Sequence, residues 1–276
     1  MPLQRDFPVP ASYKEALMQT GSIEYSTYVD KCIVSLQPQN PELTIYTIGC
    51  VLFRSLIEKG TDMLQPILTQ ISTKRVVLAS GSPRRREILS NIGLKFEVIP
   101  SKFEETLDKS SFSSPQAYVV ENARQKTLEV KERLGKDGIP DLIIGADTVV
   151  ALDGKILEKP KDASNAFEML SSLSGRTHSV HTGVVFVASH QKASQLKTEV
   201  RTFFEDTDVT FGDLTSDIIN AYIATGEPLD KAGGYGIQAL GGTLVKGIVG
   251  DYFNVVGFPL HKFCKELLNI HQTCWS

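Results

Sequence analysis

The segment Arg75-Val-Val-Leu-Ala-Ser-Gly-Ser-Pro-Arg-Arg-Arg-Glu-Ile-Leu89 contains a complete strand-to-helix turn. The β-branched start, residues 75–79, is typical of a short strand, and Pro83 is typical of the first turn of a helix. A helix that begins there points free backbone N–H groups into the turn. Because Arg84 and Arg85 lie beside those groups, the turn predicts an anion site suited to phosphate. An ordinary capped surface helix with solvated arginines is the alternative.

Positive charge is concentrated around this turn. Residues 73–102 contain seven Lys or Arg and two Asp or Glu, a local balance of +5, whereas the whole chain carries −3. This contrast favours a focused anion site over a generally basic surface.

The overall composition argues against several classes of protein. The 276 residues are 41% hydrophobic and 22% charged, which is typical of a globular protein with a full core. The net charge of −3 and the aromatic content of 8% argue against a nucleic-acid partner. The longest apolar run, residues 43–53, is too short to span a membrane. Because the four cysteines form no C-x-x-C pair, we expect a reducing, cytoplasmic location.

Predicted strands and helices alternate from residue 73 onward, which indicates an α/β fold. Ser114-Pro115 predicts the start of a helix that ends before Gly135, and Asp153-Gly154 predicts a hairpin turn. Further predicted elements are a strand at 141–152, β-rich stretches at 180–188, 196–211 and 243–249, and helices at 162–173, 216–225 and 259–269. Residues 1–72 differ: they contain no catalytic motif and predict an extension of unknown role that is partly disordered or helical.

An acidic residue lies inside an apolar run in Ile143-Ile-Gly-Ala-Asp-Thr-Val-Val150. A carboxylate there is costly unless it is paired or bound to a metal, so Asp147 is a candidate functional residue. A structural salt bridge to a lysine on a neighbouring strand is the alternative. On the predicted helix that begins at Ser114-Pro115, Asn122 and Lys126 lie four residues apart and share a face.

The loop Glu227-Pro-Leu-Asp-Lys-Ala-Gly-Gly-Tyr-Gly-Ile-Gln238 is rich in glycine. Its glycines would let the backbone approach a flat ligand, and Gln238 offers an amide donor and an amide acceptor. A glycine loop alone is weak evidence. Together with the other motifs, it predicts a nucleotide site.

Five ordered motifs give this chain a resemblance to the Maf family over about residues 73–270. They are residues 78–89, Gly145-Ala-Asp-Thr148, Glu158-Lys-Pro160, residues 174–184 and residues 227–238. Residues 238–242 and 255–259 look most like the Maf half of a longer protein that also carries a methyltransferase half. Residues 1–62 resemble nothing known to us, so we expect two parts, an extension at 1–72 and a Maf-like domain at 73–276.

The resemblance implies a fold and an activity. The implied fold is that of Maf proteins and inosine triphosphate pyrophosphatases: a central mixed, twisted β-sheet flanked by helices, in two lobes with a nucleotide cleft between them. The implied reaction is hydrolysis of dTTP and UTP, or of modified pyrimidine nucleotides, to the monophosphate and pyrophosphate. This reaction cleans the nucleotide pool. The resemblance also implies a divalent cation, Mg²⁺, and a homodimer.

The resemblance assigns roles residue by residue. Asp147 matches the family's proton acceptor, and Glu105 and Asp147 match metal-associated positions. The positions that match substrate-binding residues are Ser80, Arg84, Arg85, Lys126 and Lys159. Those that mark the dTTP/UTP subgroup are Arg84, Thr148 and Gln238. One departure is Ala239, which replaces the glycine that usually follows the glutamine.

A different class of function shares this fold. A non-catalytic nucleotide-binding protein or a scaffold associated with cell division would keep the same architecture. The intact set of Arg84, Arg85, Lys126, Asp147 and Lys159 argues against that alternative, because a pure binder has no need of a carboxylate among apolar residues.

Overall fold

The computed structural model describes residues 63–135, 138–192 and 195–276, so the predicted extension up to residue 62 lies outside it. The described residues form a seven-stranded sheet in the order β2-β1-β3-β5-β6-β7, with β4 paired to β3. The strands are β1 (Val76–Leu78), β2 (Glu97–Val98), β3 (Leu142–Leu152), β4 (Lys155–Leu157), β5 (Thr177–Lys192), β6 (Gln195–Phe211) and β7 (Val245–Gly250). β1 runs parallel to β2 and β3, and the other pairs are antiparallel, so the sheet is mixed.

Helices cover both faces of this sheet. The α-helices are α1 (Gln65–Ile71), α2 (Pro83–Asn91), α3 (Pro115–Leu134), α4 (Ala163–Leu173), α5 (Ser216–Ala224), α6 (Tyr252–Val256) and α7 (Leu260–Ile270). Short 3₁₀ turns occupy Lys109–Ser111, Glu227–Asp230, Ala232–Gly234 and Leu240–Leu244, and a π-helical turn occupies His271–Trp275. The predicted α/β class, a central mixed sheet flanked by helices, is confirmed. The division into two lobes stays a prediction.

The central strand β3 is buried on both faces. Ile143 packs under α3, whereas Ile144 packs with α1, α2 and α7 on the other face. A third apolar cluster joins the far half of β3 to α4 and α5. Because alternate residues of a strand point to opposite faces, this double cover explains why β3 is apolar at nearly every position.

The structure confirms the helix starts and the hairpin turn that the sequence predicts. Ser82 caps α2 and Ser114 caps α3, each through its side-chain oxygen, and a proline follows each cap. Asp162 caps α4 in the same way. Asp153 and Gly154 have φ angles of 51° and 76°, the left-handed conformation that the hairpin turn requires.

The first helix of the described chain belongs to the main core. Leu64, Ile67 and Ile71 are buried in the cluster that includes Leu78 and Phe186. The compact part of the protein therefore includes residues before position 73, where the sequence placed the start of the domain.

None of the helices in the described ranges combines the length and the apolar character needed to cross a bilayer.

Two glycines let α3 lie directly on the sheet. A Cβ at Gly145 would lie 1.8 Å from Thr127 Oγ1, and a Cβ at Gly183 would lie 2.8 Å from the backbone N of Val120. Both neighbours are residues of α3. Since α3 carries Asn122 and Lys126, this close packing sets how far those side chains reach over β3.

Gly183→Ala tests the close packing. We expect it to lower the free energy of unfolding by about 1–3 kcal/mol, because the added methyl group must push helix backbone away. Gly247→Ala is the matched control, since a Cβ there meets no atom within 4 Å, and its effect should stay within about 0.5 kcal/mol. Urea unfolding measures both. Equal stabilities of the two variants would contradict this account of the packing.

Candidate active site

A cavity of about 840 Å³ opens beside the first strand-to-helix turn and the middle of β3. This volume suits a nucleotide-sized ligand. Its wall includes every site residue that the sequence predicted: Ser80, Arg84, Arg85, Glu105, Lys126, Asp147, Thr148, Lys159 and Gln238. The structure therefore brings together groups that lie up to 158 residues apart in the chain.

Asp147 is held by two residues of α3. The residue is 8% exposed; Lys126 Nζ lies 2.8 Å from Oδ1, and Asn122 Nδ2 donates to Oδ2 at 3.0 Å. Lys126 and Asn122 are one helical turn apart, so the same face of α3 engages both carboxylate oxygens. The partner of Asp147 is thus a helix lysine at the cavity, and the alternative of a lysine on a neighbouring strand is wrong.

The same two residues also hold Glu105. Lys126 Nζ lies 2.8 Å from Glu105 Oε1, and Asn122 Nδ2 donates to Glu105 Oε2 at 3.2 Å. Glu105 and Asp147 therefore lie side by side with two shared donors. We call this arrangement of Asn122, Lys126, Glu105 and Asp147 the carboxylate clamp.

Asn122 was not among the predicted site residues. It is fully buried, and its Oδ1 has no hydrogen-bond partner in the described part of the chain. Its position four residues before Lys126 was the signal in the sequence, but that spacing alone does not distinguish a site residue from a core residue.

The first strand-to-helix turn presents Arg84 to the cavity. Pro83 has no N–H, Ser82 Oγ accepts from Arg85 N and Ser82 O accepts from Arg86 N, so in the first turn of α2 the backbone N–H of Arg84 stays available to a ligand. Arg84 is half-buried in the cavity wall, and its side chain makes no hydrogen bond or ion pair to another described residue. Its guanidinium is therefore free to bind an anion.

Arg85 has a different environment, although the sequence grouped it with Arg84 as a substrate-binding residue. Its guanidinium is buried and donates to four protein groups: Gly257 O at 2.9 Å, Ser80 Oγ at 3.0 Å, Ala146 O at 2.8 Å and Thr148 Oγ1 at 2.9 Å. An arginine has five N–H donors, so most of this side chain is committed to the protein. Burial lowers the pKa of Arg85, and the charge of Asp147 partly offsets that effect. Arg85 chiefly joins the segments at Ser80, at Ala146 and Thr148, and at Gly257, which we call the floor of the cavity.

Thr148 and Lys159 also line the cavity. Thr148 Oγ1 contacts Thr182 Oγ1 at 3.0 Å and donates to Gly257 O at 3.3 Å. Lys159 is exposed at the end of β4, and its neighbour Glu158 accepts hydrogen bonds from Tyr118 and Lys109.

The glycine loop is anchored to the sheet by a buried pair. His178 Nε2 and Tyr235 Oη are 2.8 Å apart, and both residues are buried. Gly233 has a φ of +68°, and a Cβ there would lie 2.8 Å from Val150, so the loop passes directly over β3. Burial lowers the pKa of His178 to about 4.

The sequence of this chain matches the family model described as Maf-like protein over residues 75–270. The chain belongs to this family.

The Maf-like chain is similar to several curated proteins. A human protein named probable bifunctional dTTP/UTP pyrophosphatase/methyltransferase protein is 56% identical over 211 residues, which are 76% of this chain and 34% of that protein. The dTTP/UTP pyrophosphatase of Bacillus cytotoxicus is 47% identical over 194 residues, 70% of this chain and 94% of the relative. That of Clostridium perfringens is 47% identical over 200 residues, 72% of this chain and 98% of the relative. The chain thus spans about a third of the human relative and nearly all of the two bacterial ones.

The carboxylate clamp of this Maf-like chain fits a hard cation that keeps an open coordination shell. In the described ranges, no three His, Cys, Asp or Glu side chains converge into a closed metal cage. Mg²⁺ typically takes one or two carboxylates and completes its shell with water and substrate phosphates. Glu105 and Asp147 supply that number of carboxylates at the cavity wall.

Arg84→Lys and Arg85→Lys test the different environments of the two arginines. We expect Arg85→Lys to lower the free energy of unfolding by about 1–3 kcal/mol, because an ammonium cannot reproduce the four hydrogen bonds of the buried fork. Arg84→Lys should stay within about 0.5 kcal/mol of wild type. Chemical unfolding of both proteins is the measurement. A larger loss for Arg84→Lys would contradict the assignment.

His178 predicts a pH dependence of stability. Its pKa is about 4 in the folded protein against an ordinary value of 6.5, so the unfolded chain binds a proton that the folded protein does not. Stability should therefore fall as pH decreases from about 6.5 to about 4, by up to about 3 kcal/mol from this residue. Unfolding of wild type and His178→Gln across this pH range measures the effect. If both proteins lost stability equally, His178 would not be its source.

Proposed function

We propose that this protein is a nucleoside triphosphate pyrophosphatase that hydrolyses dTTP and UTP to the monophosphate and pyrophosphate. Relatives that bear the name dTTP/UTP pyrophosphatase support the reaction and the substrate. The observation that carries the proposal is the carboxylate clamp, because it sets a nearly buried acid beside a second acid and a cation on the wall of a nucleotide-sized cavity.

In this proposal, positive groups grip the triphosphate. Arg84, Lys126 and Lys159 line the cavity, and the N-terminus of α2 opens into it. A triphosphate carries several negative charges that repel an attacking water unless they are offset. Fixed cations and the positive end of the α2 dipole offset that charge and orient the α phosphorus.

Asp147 accepts the proton of the attacking water. Each of its oxygens receives one donor from α3, so a second lone pair on each oxygen stays available. Holding the carboxylate from both sides fixes the direction in which the free lone pairs point. General base catalysis requires such a fixed acceptor within hydrogen-bond reach of the water.

We propose that Glu105 and Asp147 hold Mg²⁺ when the nucleotide binds. The cation would offset the negative charge of the phosphates, and Lys126 and Arg84 would help to offset it. Glu105 is the more exposed of the two acids, with 45% of its side chain accessible against 11% for Asp147, so it can reorient more easily when a cation arrives.

Base choice in this proposal depends on Gln238, which lines the cavity. Uracil and thymine present O4 as an acceptor and N3–H as a donor, and one carboxamide can pair with both. A site built for such pairing rejects bases that leave its polar groups unmatched. Contacts at the 5-position would decide whether modified pyrimidine nucleotides are also substrates.

The proposal extends to assembly and location. We propose a homodimer, supported by an exposed apolar strip (Leu196, Val200 and Phe204) on β6. Before residue 207, β6 pairs with β5 on one side and with none of the described strands on the other. An exposed strand edge of this kind favours pairing with a second chain. Light scattering that gave a monomer mass would contradict the homodimer.

We also propose a cytoplasmic protein without nucleic-acid or membrane partners, supported by the net charge of −3 and the free thiols of Cys264 and Cys274.

Asp147→Asn tests the proposed function. With Mg²⁺ present, we expect this variant to release pyrophosphate from UTP about 10²- to 10⁴-fold more slowly than wild type, since it lacks the proton acceptor. UTP binding, measured by calorimetry, should be largely retained. The matched control is Asp153→Asn in the exposed hairpin turn, which should keep wild-type turnover.

Other results would contradict the proposal. Equal turnover by Asp147→Asn and wild type would remove Asp147 from the mechanism, and faster hydrolysis of GTP than of UTP and dTTP would contradict the substrate assignment. Turnover that did not depend on Mg²⁺ would contradict the cation. Nucleotide binding without pyrophosphate release by wild type would favour the non-catalytic scaffold.

A further inference from the structure

The loop that carries Gln238 is closed at its base by two glycines. Residues 236–239 line the cavity, and Gly236 and Gly241 lie on either side of the segment 237–240. A Cβ at Gly241 would lie 2.7 Å from Gly236 O and 2.4 Å from the hydroxyl of Tyr222. Any side chain at Gly241 would therefore separate the two ends of the loop.

One carboxylate and one hydroxyl hold this closed base. Glu227 accepts hydrogen bonds from the backbone N–H groups of Leu240 at 3.1 Å and Gly241 at 3.2 Å, and from Tyr222 Oη at 2.9 Å. Tyr222 Oη in turn accepts from the N–H of Gly236 at 3.2 Å. The chain of bonds thus reaches both ends of the loop, and we call Tyr222 and Glu227 the loop staple.

The loop staple is itself fixed to the core. Tyr222 lies on α5 and is 6% exposed, packed in the apolar cluster between β3 and α4. Burial, and next the hydrogen bond to Glu227, raise the pKa of Tyr222, so its hydroxyl stays protonated and keeps donating. Hydrogen bonds to an ionised acceptor are stronger than neutral ones, so the carboxylate gives the loop a firm attachment.

We propose that Tyr222 and Glu227 are positioning residues that set base selectivity by fixing the loop that carries Gln238. This inference rests on the proposed function, in which Gln238 reads the pyrimidine. A carboxamide pairs with uracil in one orientation and with cytosine in the reverse one, because the two bases exchange donor and acceptor at the 3- and 4-positions, so selectivity requires one orientation of the amide. The staple fixes the backbone on either side of Gln238, from which this side chain extends, and neither staple residue lines the cavity.

The experiment compares wild type with Tyr222→Phe, which removes only the hydroxyl, and with Glu227→Gln, whose amide cannot accept all three bonds. The readouts are kcat and KM for UTP and CTP. We expect the ratio of kcat/KM for UTP over CTP to fall about tenfold in each variant, the equivalent of one lost hydrogen bond. KM for UTP should rise while kcat changes little. Glu97→Gln, at an exposed ion pair on β2, is the control that should keep the wild-type ratio.

Two further measurements separate positioning from general loosening. Inorganic tripolyphosphate carries no base, so its inhibition of wild type and Tyr222→Phe should be the same. In a Gln238→Ala background, Tyr222→Phe should cause no further loss of selectivity, because the staple acts through Gln238. Weaker tripolyphosphate binding by Tyr222→Phe, or an additive loss in the double variant, would overturn the inference.

The outcome for this inference is distinct from that for the proposed function. A selective wild type with unchanged selectivity in Tyr222→Phe would overturn the inference and leave the proposed function intact. If wild type released no pyrophosphate, the proposed function would fall. Calorimetric affinities for UTP and CTP would then decide the inference alone: a reduced preference in Tyr222→Phe supports it, and an unchanged preference overturns it.

Discussion

The site depends on the contact between one face of α3 and the middle of β3. Lys126 and Asn122 each donate to both Asp147 and Glu105, so two acids that would repel each other share a pair of donors. That geometry requires the helix to lie close to the sheet, which the glycines at 145 and 183 permit. Core packing and site chemistry therefore depend on the same contact. A change that moves α3 away from β3 also moves Asn122 and Lys126 away from the two carboxylates.

Much of the fold could be predicted because its signals are local. A helix cap needs only a polar side chain and the following few residues, and Ser114-Pro115 contains both. Asp153-Gly154 likewise contains everything that a tight turn requires. The order of the strands and the place of α1 in the core were not predicted, because both depend on contacts between segments far apart in the chain. The predicted character of the extension, partly disordered or helical, stays a prediction for residues 1–62, which lie outside the described residues.

The residues of the cavity wall were predicted mainly through the family resemblance, and their individual environments were not. Arg84 and Arg85 are adjacent and chemically identical, yet one faces the cavity and the other is buried. The difference arises because acceptors far along the chain, at Ala146, Thr148 and Gly257, accept from Arg85. The site role of Asn122 could not be predicted, because a buried amide on an apolar helix face is usually a core residue. Its role follows from Glu105 and Asp147, which other segments of the chain bring within hydrogen-bond distance.

The bonds made by Arg85 have a consequence for the order of events during protein synthesis. Its guanidinium joins the turn at Ser80, the strand at Ala146 and the segment at Gly257, so the cavity floor includes a group 172 residues further along the chain. A nascent polypeptide that has not yet emerged from the ribosome beyond residue 257 lacks the carbonyl that accepts from Arg85 Nε. The hydrogen bonds of the cavity floor can therefore be completed only after residue 257 has been synthesised.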